Sequence, residues 1–310
     1  MTVLHAVAGY LPPGRKSIET IAERMKLPPD KVKMFRRFYG FREVCYEPEG
    51  TLVELLLAAA SALDVLPGLR HRVRYLIYAR GVAEVAPYPM NPLQRVRELL
   101  GLEHAQAFAL AAHGCATGLQ AVDAAGKLLA SDDDPDALAL ILAGEKIFSH
   151  RMQVISDITF MGEGSAAVLV GRSGERDRMV SYASQTYGRF ASFWKSTPGS
   201  FSNYKEAYPA ALAEVITTAA ERAGLTLDDV AVILPHGVNT MSWHRLCVQI
   251  GYPAKRVVLD NVAVAGHSSC ADPFINYCTA IDDGRIRPGD AYMMVAAGLS
   301  GTFSAMVFRH

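Results

Sequence analysis

Short apolar runs alternate along the chain with longer segments in which apolar residues recur at helical spacing. The runs at 2–8, 73–79, 107–112, 138–143 and 165–170 have the length and apolar character of buried strands. Capping residues and apolar periodicity predict helices at 17–25, from 28 onward, at 51–63, at 93–100 and from 119 onward. This alternation predicts an α/β protein built on mixed or parallel sheets.

The order of these patterns repeats in the second part of the chain. Segments 73–82, 99–112, 138–144 and 164–170 are echoed in the same order by 230–238, 249–259, 291–298 and 301–308. Four echoes in one order predict an internal duplication. We expect an N-terminal half over 1–173 that contains Cys115 and a C-terminal half over 174–310 that contains His236 and His267. If the halves pack about a pseudo-twofold axis, the helix starts at Cys115 and His267 approach each other.

Composition narrows the class of protein. The 310 residues are 50% hydrophobic and 20% charged, which is typical of a compact folded chain. The 31 basic and 31 acidic residues cancel, so no nucleic acid or anionic membrane surface is indicated as partner. The five cysteines are scattered, the first residues do not resemble a secretion signal, and the apolar runs are too short to cross a bilayer. We therefore expect a protein of the reducing cytoplasm.

Cys115 lies where the apolar run 107–112 passes through a glycine turn into a helix. A thiol at the first turn of a helix faces unpaired backbone N–H groups and the positive end of the helix dipole. Both favour the thiolate and make the sulfur a better nucleophile, so the position predicts a catalytic cysteine. The alternative is a small buried hydrophobic residue, which is the commonest fate of a free cysteine.

Two histidines, His236 and His267, follow apolar segments at turns, where functional side chains are frequent. A cysteine nucleophile needs an imidazole to hold or accept its proton, and imidazoles can also donate hydrogen bonds to a developing enolate or oxyanion. Cys115, His236 and His267 are therefore the candidate catalytic set, although histidines at strand ends also have structural roles. A metal site formed by His267, Cys270 and Cys278 does not match a zinc spacing. The sequence contains no phosphate-binding, dinucleotide-binding or hydrolase-elbow pattern.

Five segments together resemble a known family. They are 111–118 around Cys115, 161–168 at a glycine turn, 234–239 around His236, 265–269 around His267, and 283–290 before the closing strand. In this order they resemble ketoacyl synthase III of the thiolase superfamily over essentially the whole chain. The resemblance implies a five-layered αβαβα fold made of two duplicated halves. It also implies a homodimer whose sheets join through the strand before Cys115.

The resemblance further implies roles for individual residues. Cys115 would carry an acyl-thioester intermediate, and His236 would act on the incoming thioester carbonyl and assist decarboxylation of a malonyl-type extender. The backbone N–H groups of Cys115 and Leu299 would form the oxyanion hole. The substrate pocket would include Tyr88, Met161, Asn239 and Ser300. Acyl-CoA or acyl-carrier-protein thioesters would be the substrates, with no further cofactor and no metal.

Some residues depart from the pattern of that family. Histidine stands at position 267, where asparagine is usual. This resembles the Cys–His–His set of elongating ketoacyl synthases and also fits relatives that pass an acyl group to an alcohol or amine, where a base is needed. Leu299 and Ser300 interrupt a glycine-rich closing loop, and an arginine often found two residues after the Asn239 position is replaced by Met241. These changes favour a specialised pathway over the initiation of fatty-acid synthesis.

The sequence thus predicts a homodimeric acyltransferase of the ketoacyl synthase III type that works by ping-pong chemistry. Our first hypothesis is decarboxylative Claisen condensation of the acyl group on Cys115 with a malonyl-type carrier, in a secondary-metabolite or polyketide pathway. The second is acyl transfer to a small-molecule hydroxyl or amine without condensation, and the third is a non-catalytic partner subunit of another synthase. The expected partners are an acyl carrier protein or coenzyme A thioesters and a second copy of the chain, without nucleic acid or membrane.

Overall fold

The fold is that of a computed structural model, which describes residues 1–82, 85–87, 89–147, 149, 152–190 and 200–310. Its strands are β1 (Val3–Tyr10), β2 (Arg15–Ser17), β3 (Glu43–Cys45), β4 (Val73–Ala79), β5 (Gln106–Leu110), β6 (Leu138–Glu145), β7 (Val154–Ile155), β8 (Thr159–Phe160), β9 (Gly164–Gly171), β10 (Arg178–Thr186), β11 (Val230–Pro235), β12 (Ala291–Gly298) and β13 (Thr302–Arg309). Its helices are α1 (Ile18–Arg24), α2 (Pro29–Arg37), α3 (Leu52–Ser61), α4 (Leu66–Leu69), α5 (Pro92–Leu99), α6 (Thr117–Ala130), α7 (Ser200–Arg222), α8 (Thr240–Ile250), α9 (Val262–Ala265) and α10 (Asp272–Asp282).

Local signals in the sequence explain where several helices begin and end. Ser17 accepts a hydrogen bond from the Thr20 backbone N–H and caps α1, and Thr51 forms a capping box with Glu54 at the start of α3. Gly251, with a φ of 70°, ends α8 in the left-handed conformation that glycine adopts without strain. The strands and helices predicted above between residues 2 and 170 begin and end within two residues of the observed ones.

The main sheet contains nine strands in the order β11-β12-β13-β10-β1-β9-β6-β4-β5. Its N-terminal part, β5-β4-β6-β9-β1, meets its C-terminal part, β10-β13-β12-β11, where Val3 pairs with Arg178. In each part the outer strands are parallel and the inner ones antiparallel. In the C-terminal part, Val257 forms a parallel bridge to Ile233 of β11. This bridge corresponds to the pairing of β5 with β4 in the N-terminal part. An internal duplication produces this repeated strand order; the division at residue 173 stays a prediction.

Three apolar clusters separate five layers of structure. The central cluster packs α6 and α10 between the two parts of the sheet, with Leu119 and Phe274 fully buried. The second cluster packs α7 and α8, with Trp243, against the outer face of the C-terminal part, and the third packs α3 and α5, with Leu56, against the outer face of the N-terminal part. Strands β6, β9 and β12 are buried along their whole length because both faces are covered. The predicted five-layered αβαβα fold is confirmed.

The apolar pattern does not predict helix α7 or the small sheet of β2 and β3. Pro209 lies inside α7, and proline is unfavourable there because it lacks the N–H of a helical hydrogen bond. Strands β2 and β3 pair over three residues each, which is too short for a clear pattern. With α1 and α2 they enclose a fourth apolar cluster around Phe35, Phe41 and Phe160.

Among the described residues, no single helix is long and apolar enough to cross a membrane. The helical segments 52–61 and 66–72 have sufficient length and apolar composition only when taken together, and they meet at 92°.

Candidate active site

Cys115 lies on the turn that joins β5 to α6. Residues Gly114–Ala116 form one 3₁₀ turn, and α6 begins two residues after the cysteine, at Thr117. The Thr117 hydroxyl closes the turn by donating to the Gly114 carbonyl at 2.7 Å. The sequence predicts Cys115 within the first helical turn, whereas the structure places it just before that turn, still beside the unpaired N–H groups of the helix start. The side chain is only partly buried, so the sulfur is not sealed in the core.

Two cavities meet at Cys115. The smaller has a volume of about 180 Å³, and its walls include Tyr204, Tyr208, His236 and His267. The larger has a volume of about 640 Å³, and its walls are mainly apolar, with Val82, Met152, Val154 and Met161. Cys115 and Leu299 line both cavities. The sulfur is therefore accessible both to a space with titratable groups and to an apolar space.

His267 connects Cys115 to a buried carboxylate. Its Nε2 lies 3.2 Å from the Cys115 sulfur, and its Nδ1 donates to Oδ2 of Asp272. Although burial acts in the opposite direction, the Asp272 carboxylate and the Cys115 sulfur raise the pKa of His267 well above its ordinary value. The structure thus forms a Cys–His–Asp chain of hydrogen bonds, in which the described geometry favours a protonated imidazole.

Asp272 is held by the backbone on both sides. Its Oδ1 accepts from the Ser268 backbone N–H at 2.8 Å, and its Oδ2 accepts from the Gly237 backbone N–H at 2.6 Å. The residue is 6% exposed and occupies the first position of α10, where the helix dipole also favours a negative charge. These contacts fix the carboxylate opposite His267.

His236 has a different environment from His267. Its Nε2 lies 2.9 Å from the Tyr208 hydroxyl, and its backbone carbonyl accepts from the Trp243 indole N–H at 3.1 Å. Burial, with a smaller effect of the nearby His267, lowers the pKa of His236 to about 3. The two imidazole centroids are 6.1 Å apart. At neutral pH this site therefore combines one neutral imidazole with one that is readily protonated.

Two glycines bring the Leu299 backbone to the turn that contains Cys115. Gly114 has a φ of 55°, and a Cβ there would lie 3.0 Å from Gly298 Cα and 3.2 Å from Leu299 N. A Cβ on Gly298 would lie 2.0 Å from the His113 carbonyl oxygen. Both positions thus require glycine for the close approach. The Leu299 backbone nitrogen therefore lies beside the nucleophile turn; an oxyanion hole formed by the N–H groups of Cys115 and Leu299 stays a prediction.

The remaining predicted site residues are not all free to bind substrate. Met161 and Ser300 line the larger cavity. Asn239 lines the smaller one, but its Oδ1 caps α8 by accepting from the Ser242 N–H at 2.7 Å, and its Nδ2 donates to the Ile158 carbonyl at 3.1 Å. Tyr88 lies outside the described residues. A direct substrate contact by any of the four stays a prediction.

Two residues of the site are absent from the sequence-based set. Asp272 lies five positions after His267, and an acidic residue at the start of an otherwise apolar helix is the signal that points to it. Tyr208 lies in an aromatic segment with no regular pattern, 28 residues before its partner His236, and no local signal identifies it. Among the described residues, no group of three His, Cys, Asp or Glu side chains is arranged to hold a metal ion.

Comparisons with known proteins agree with this architecture. Residues 220–310 match the family model described as 3-oxoacyl-[acyl-carrier-protein] synthase III, C terminal. The beta-ketoacyl-[acyl-carrier-protein] synthase III of Sphingopyxis alaskensis is 27% identical over 323 aligned positions, which cover 99% of this chain and 98% of that protein. Similarity to synthases of this type therefore extends over the full length.

Solved structures show the same fold at lower sequence identity. The 3-oxoacyl-[acyl-carrier-protein] synthase III of Aquifex aeolicus superposes with a TM-score of 0.83 at 21% identity, covering all of both chains. A protein named ChlB3, described as an acyltransferase, superposes with a TM-score of 0.86 at 17% identity, covering 99% of this chain and 97% of that one. The chain is thus similar over its full length to synthases of the ketoacyl synthase III type, and it has the same fold as the solved structures.

Proposed function

We propose that this ketoacyl synthase III-like enzyme forms an acyl thioester on Cys115 and joins it to a malonyl-type carrier by decarboxylative Claisen condensation. The observation that supports this most directly is the 3.2 Å approach of His267 Nε2 to the Cys115 sulfur at the junction of two cavities. A nucleophile, a proton-holding imidazole and separate spaces for two substrates are the requirements of ping-pong acyl chemistry.

In the first half-reaction, the Cys115 sulfur attacks the carbonyl carbon of an acyl thioester. The N–H groups of Cys115 and Leu299 stabilise the oxyanion that forms. The carbon–sulfur bond to the carrier then breaks, and the departing thiolate takes the Nε2 proton of His267 and leaves as a thiol. The acyl chain occupies the larger cavity, whose apolar lining suits a hydrocarbon chain.

In the second half-reaction, a malonyl-type thioester enters the smaller cavity. Loss of carbon dioxide leaves an enolate, whose carbon attacks the acyl group on Cys115 and releases the sulfur. His236 and His267 both line this cavity. His236 donates a hydrogen bond to the enolate oxygen, and so does His267 after its Nε2 has regained a proton from solvent. His267 in place of an asparagine, and the altered closing loop at Leu299 and Ser300, favour a specialised secondary-metabolite or polyketide pathway in the cytoplasm.

A second candidate function is acyl transfer to a small-molecule hydroxyl or amine. It is favoured by the bond from His267 Nδ1 to Asp272, because a neutral ring with its proton held at Nδ1 has a free lone pair at Nε2. That nitrogen can take the proton of an alcohol or amine as it attacks the acyl group. The third hypothesis, a non-catalytic subunit, provides no reason for this hydrogen-bonded set.

Mass spectrometry tests the proposal. Protein incubated with acyl-CoA or acyl-carrier donors should gain an acyl mass on the peptide that contains Cys115, and Cys115→Ala should not. Cys278→Ala is the matched control, since Cys278 is also partly buried but is absent from both cavity walls. Release of carbon dioxide from a malonyl carrier supports condensation, whereas an ester or amide formed without it supports transfer. No adduct from a broad donor panel contradicts both.

We also propose that the active form is a homodimer joined through β5. This strand is the outer edge of the nine-stranded sheet, and Gln106 and Ala109 on it are exposed. An uncovered edge offers unpaired backbone groups for a second copy. Light scattering after size exclusion should give twice the chain mass, and Ala109→Pro, which removes an edge N–H donor, should lower the dimer fraction. A monomer at micromolar concentration contradicts the proposal.

A further inference from the structure

Asp272 forms a hydrogen bond with His267 that the condensation scheme does not require. Its carboxylate accepts two backbone N–H groups and the Nδ1 proton of His267, and the residue is almost fully buried. A buried carboxylate with this many donors is fixed in position and remains an acceptor. Asp272 therefore determines both the orientation of the imidazole and which of its nitrogens bears a proton.

Other titratable and charged groups surround His267. Cys115 faces Nε2, His236 faces the ring from the end of β11, and Tyr204 and Tyr208 of α7 line the same cavity. Farther along the wall of the smaller cavity lie Tyr39, Arg245 and the ion pair of Lys205 with Asp157, whose charged atoms are 2.8 Å apart. Of these groups, His236 and the cations disfavour a charged imidazole. In the described part of the chain, Asp272 is the carboxylate that bonds to the ring.

We propose that Asp272 is a positioning residue that keeps His267 protonated and directed at Cys115, so that the resting site is an imidazolium–thiolate pair. The inference deepens the proposed function and rests on it for its role in turnover. A protonated imidazole 3.2 Å from the sulfur stabilises a negative charge at that position. The Cys115 nucleophile is then ready before any substrate enters.

The same bond determines what His267 does after acylation. When the Nε2 proton has gone to the departing thiol, the ring is neutral, and Asp272 still holds the other proton at Nδ1. Nε2 is then an acceptor. It can take a proton from an alcohol or amine, whereas in condensation it must regain a proton before it can donate to the enolate. Asp272 thus acts on both half-reactions through His267.

Alkylation of Cys115 tests this inference without acyl substrates. The thiolate displaces iodide from iodoacetamide, forming one carbon–sulfur bond and releasing iodide, and the peptide mass identifies the modified cysteine. In the full-length wild-type protein we expect a rate that changes little between pH 6 and pH 8. In Asp272→Asn, which keeps an acceptor oxygen but loses the charge, we expect a rate at least about tenfold lower at pH 6 that approaches the wild-type rate near pH 9.

Matched variants separate positioning from general damage. Asp260→Asn removes a carboxylate that pairs with Arg285 at the surface, and it should leave the pH profile unchanged. Asp272→Glu keeps the charge and should retain part of the reactivity at pH 6. If Asp272 acts through His267, His267→Asn should show the Asp272→Asn profile, and the double variant should be no slower than either single variant.

The outcomes distinguish this inference from the proposed function. A folded Asp272→Asn protein with the wild-type alkylation profile overturns the inference, as does a double variant whose two losses multiply. If Asp272→Asn does not fold, Asp272→Glu is the test, because its longer side chain displaces the carboxylate. An alkylation profile of Asp272→Glu that equals the wild-type profile would then overturn the inference. A shifted profile without acylation by any donor supports the positioning role and contradicts the proposed function.

Discussion

Replacing Gly298 by alanine tests whether the backbone at Leu299 stabilises an oxyanion. A Cβ at position 298 would lie 2.0 Å from the His113 carbonyl oxygen, whereas real Cβ contacts below 3.0 Å essentially do not occur. The loop 298–301 and the turn of Cys115 must therefore separate by about 1 Å. Oxyanion donors act at about 2.7–3.1 Å, and loss of one donor lowers kcat by roughly 10²–10³, or about 2.7–4 kcal/mol.

The expected result is a specific loss of acylation. Gly298→Ala should acylate Cys115 about 100-fold more slowly than wild type with the same donor, measured by rapid quenching and intact mass. Gly68→Ala is the matched control because a Cβ there meets nothing within 4 Å, and it should acylate at the wild-type rate. Circular dichroism checks that both variants are folded. A folded Gly298→Ala protein with wild-type acylation would refute the placement of the Leu299 N–H in the oxyanion hole.

Three further predictions concern buried polar side chains. Tyr208→Phe removes the hydroxyl that lies at His236 Nε2. The second half-reaction should become roughly tenfold slower because about 1–1.5 kcal/mol is lost, while the rate of acylation, measured by rapid quenching, should not change. Equal losses in both half-reactions would refute this. Asp177→Asn weakens bonds from the Tyr277 and Tyr292 hydroxyls and should lower the unfolding free energy in urea by about 2–3 kcal/mol; an unchanged midpoint speaks against it. The pKa of His236 is lowered to about 3 in the folded state, so the unfolded chain binds more protons below about pH 6.5. The free energy of unfolding therefore decreases as the pH falls from about 7. His236→Asn should therefore gain about 2 kcal/mol relative to wild type between pH 7 and pH 5 in urea unfolding, and a difference that does not depend on pH would contradict the buried neutral ring.

The sequence predicts much of the fold because its strands lie between helical layers. Strands β6 and β9 are buried on both faces, so each is a continuous apolar run rather than an alternating one. The repeated order of such runs predicts the repeated strand order, and with it the approach of Cys115 to His267, which the structure places in contact. Their catalytic roles stay predictions.

The finer electrostatics of the site could not be predicted from the pattern. Apolar periodicity shows that a histidine follows a strand, but not which group bonds to its second nitrogen. Asp272 gives His267 a carboxylate, and Tyr208 gives His236 a neutral hydroxyl. Asn239 illustrates the opposite case, since a side chain expected to bind substrate has both of its polar atoms engaged at a helix start. Such assignments depend on contacts between residues distant in sequence.

The duplicated halves show how one local structure supports two different roles. The turn Gly114–Ala116 before α6 is matched by the turn Ser269–Ala271 before α10, and each has a cysteine at its centre, Cys115 and Cys270. Burial raises the pKa of Cys270 well above its ordinary value, and its thiol donates to the Gly114 carbonyl at 3.3 Å. Cys270 thus packs against the turn that contains Cys115. Both sulfurs lie at the start of a helix, so the helix start cannot explain the difference between them. The difference comes from the exposure of each side chain and from His267, which bonds to Cys115.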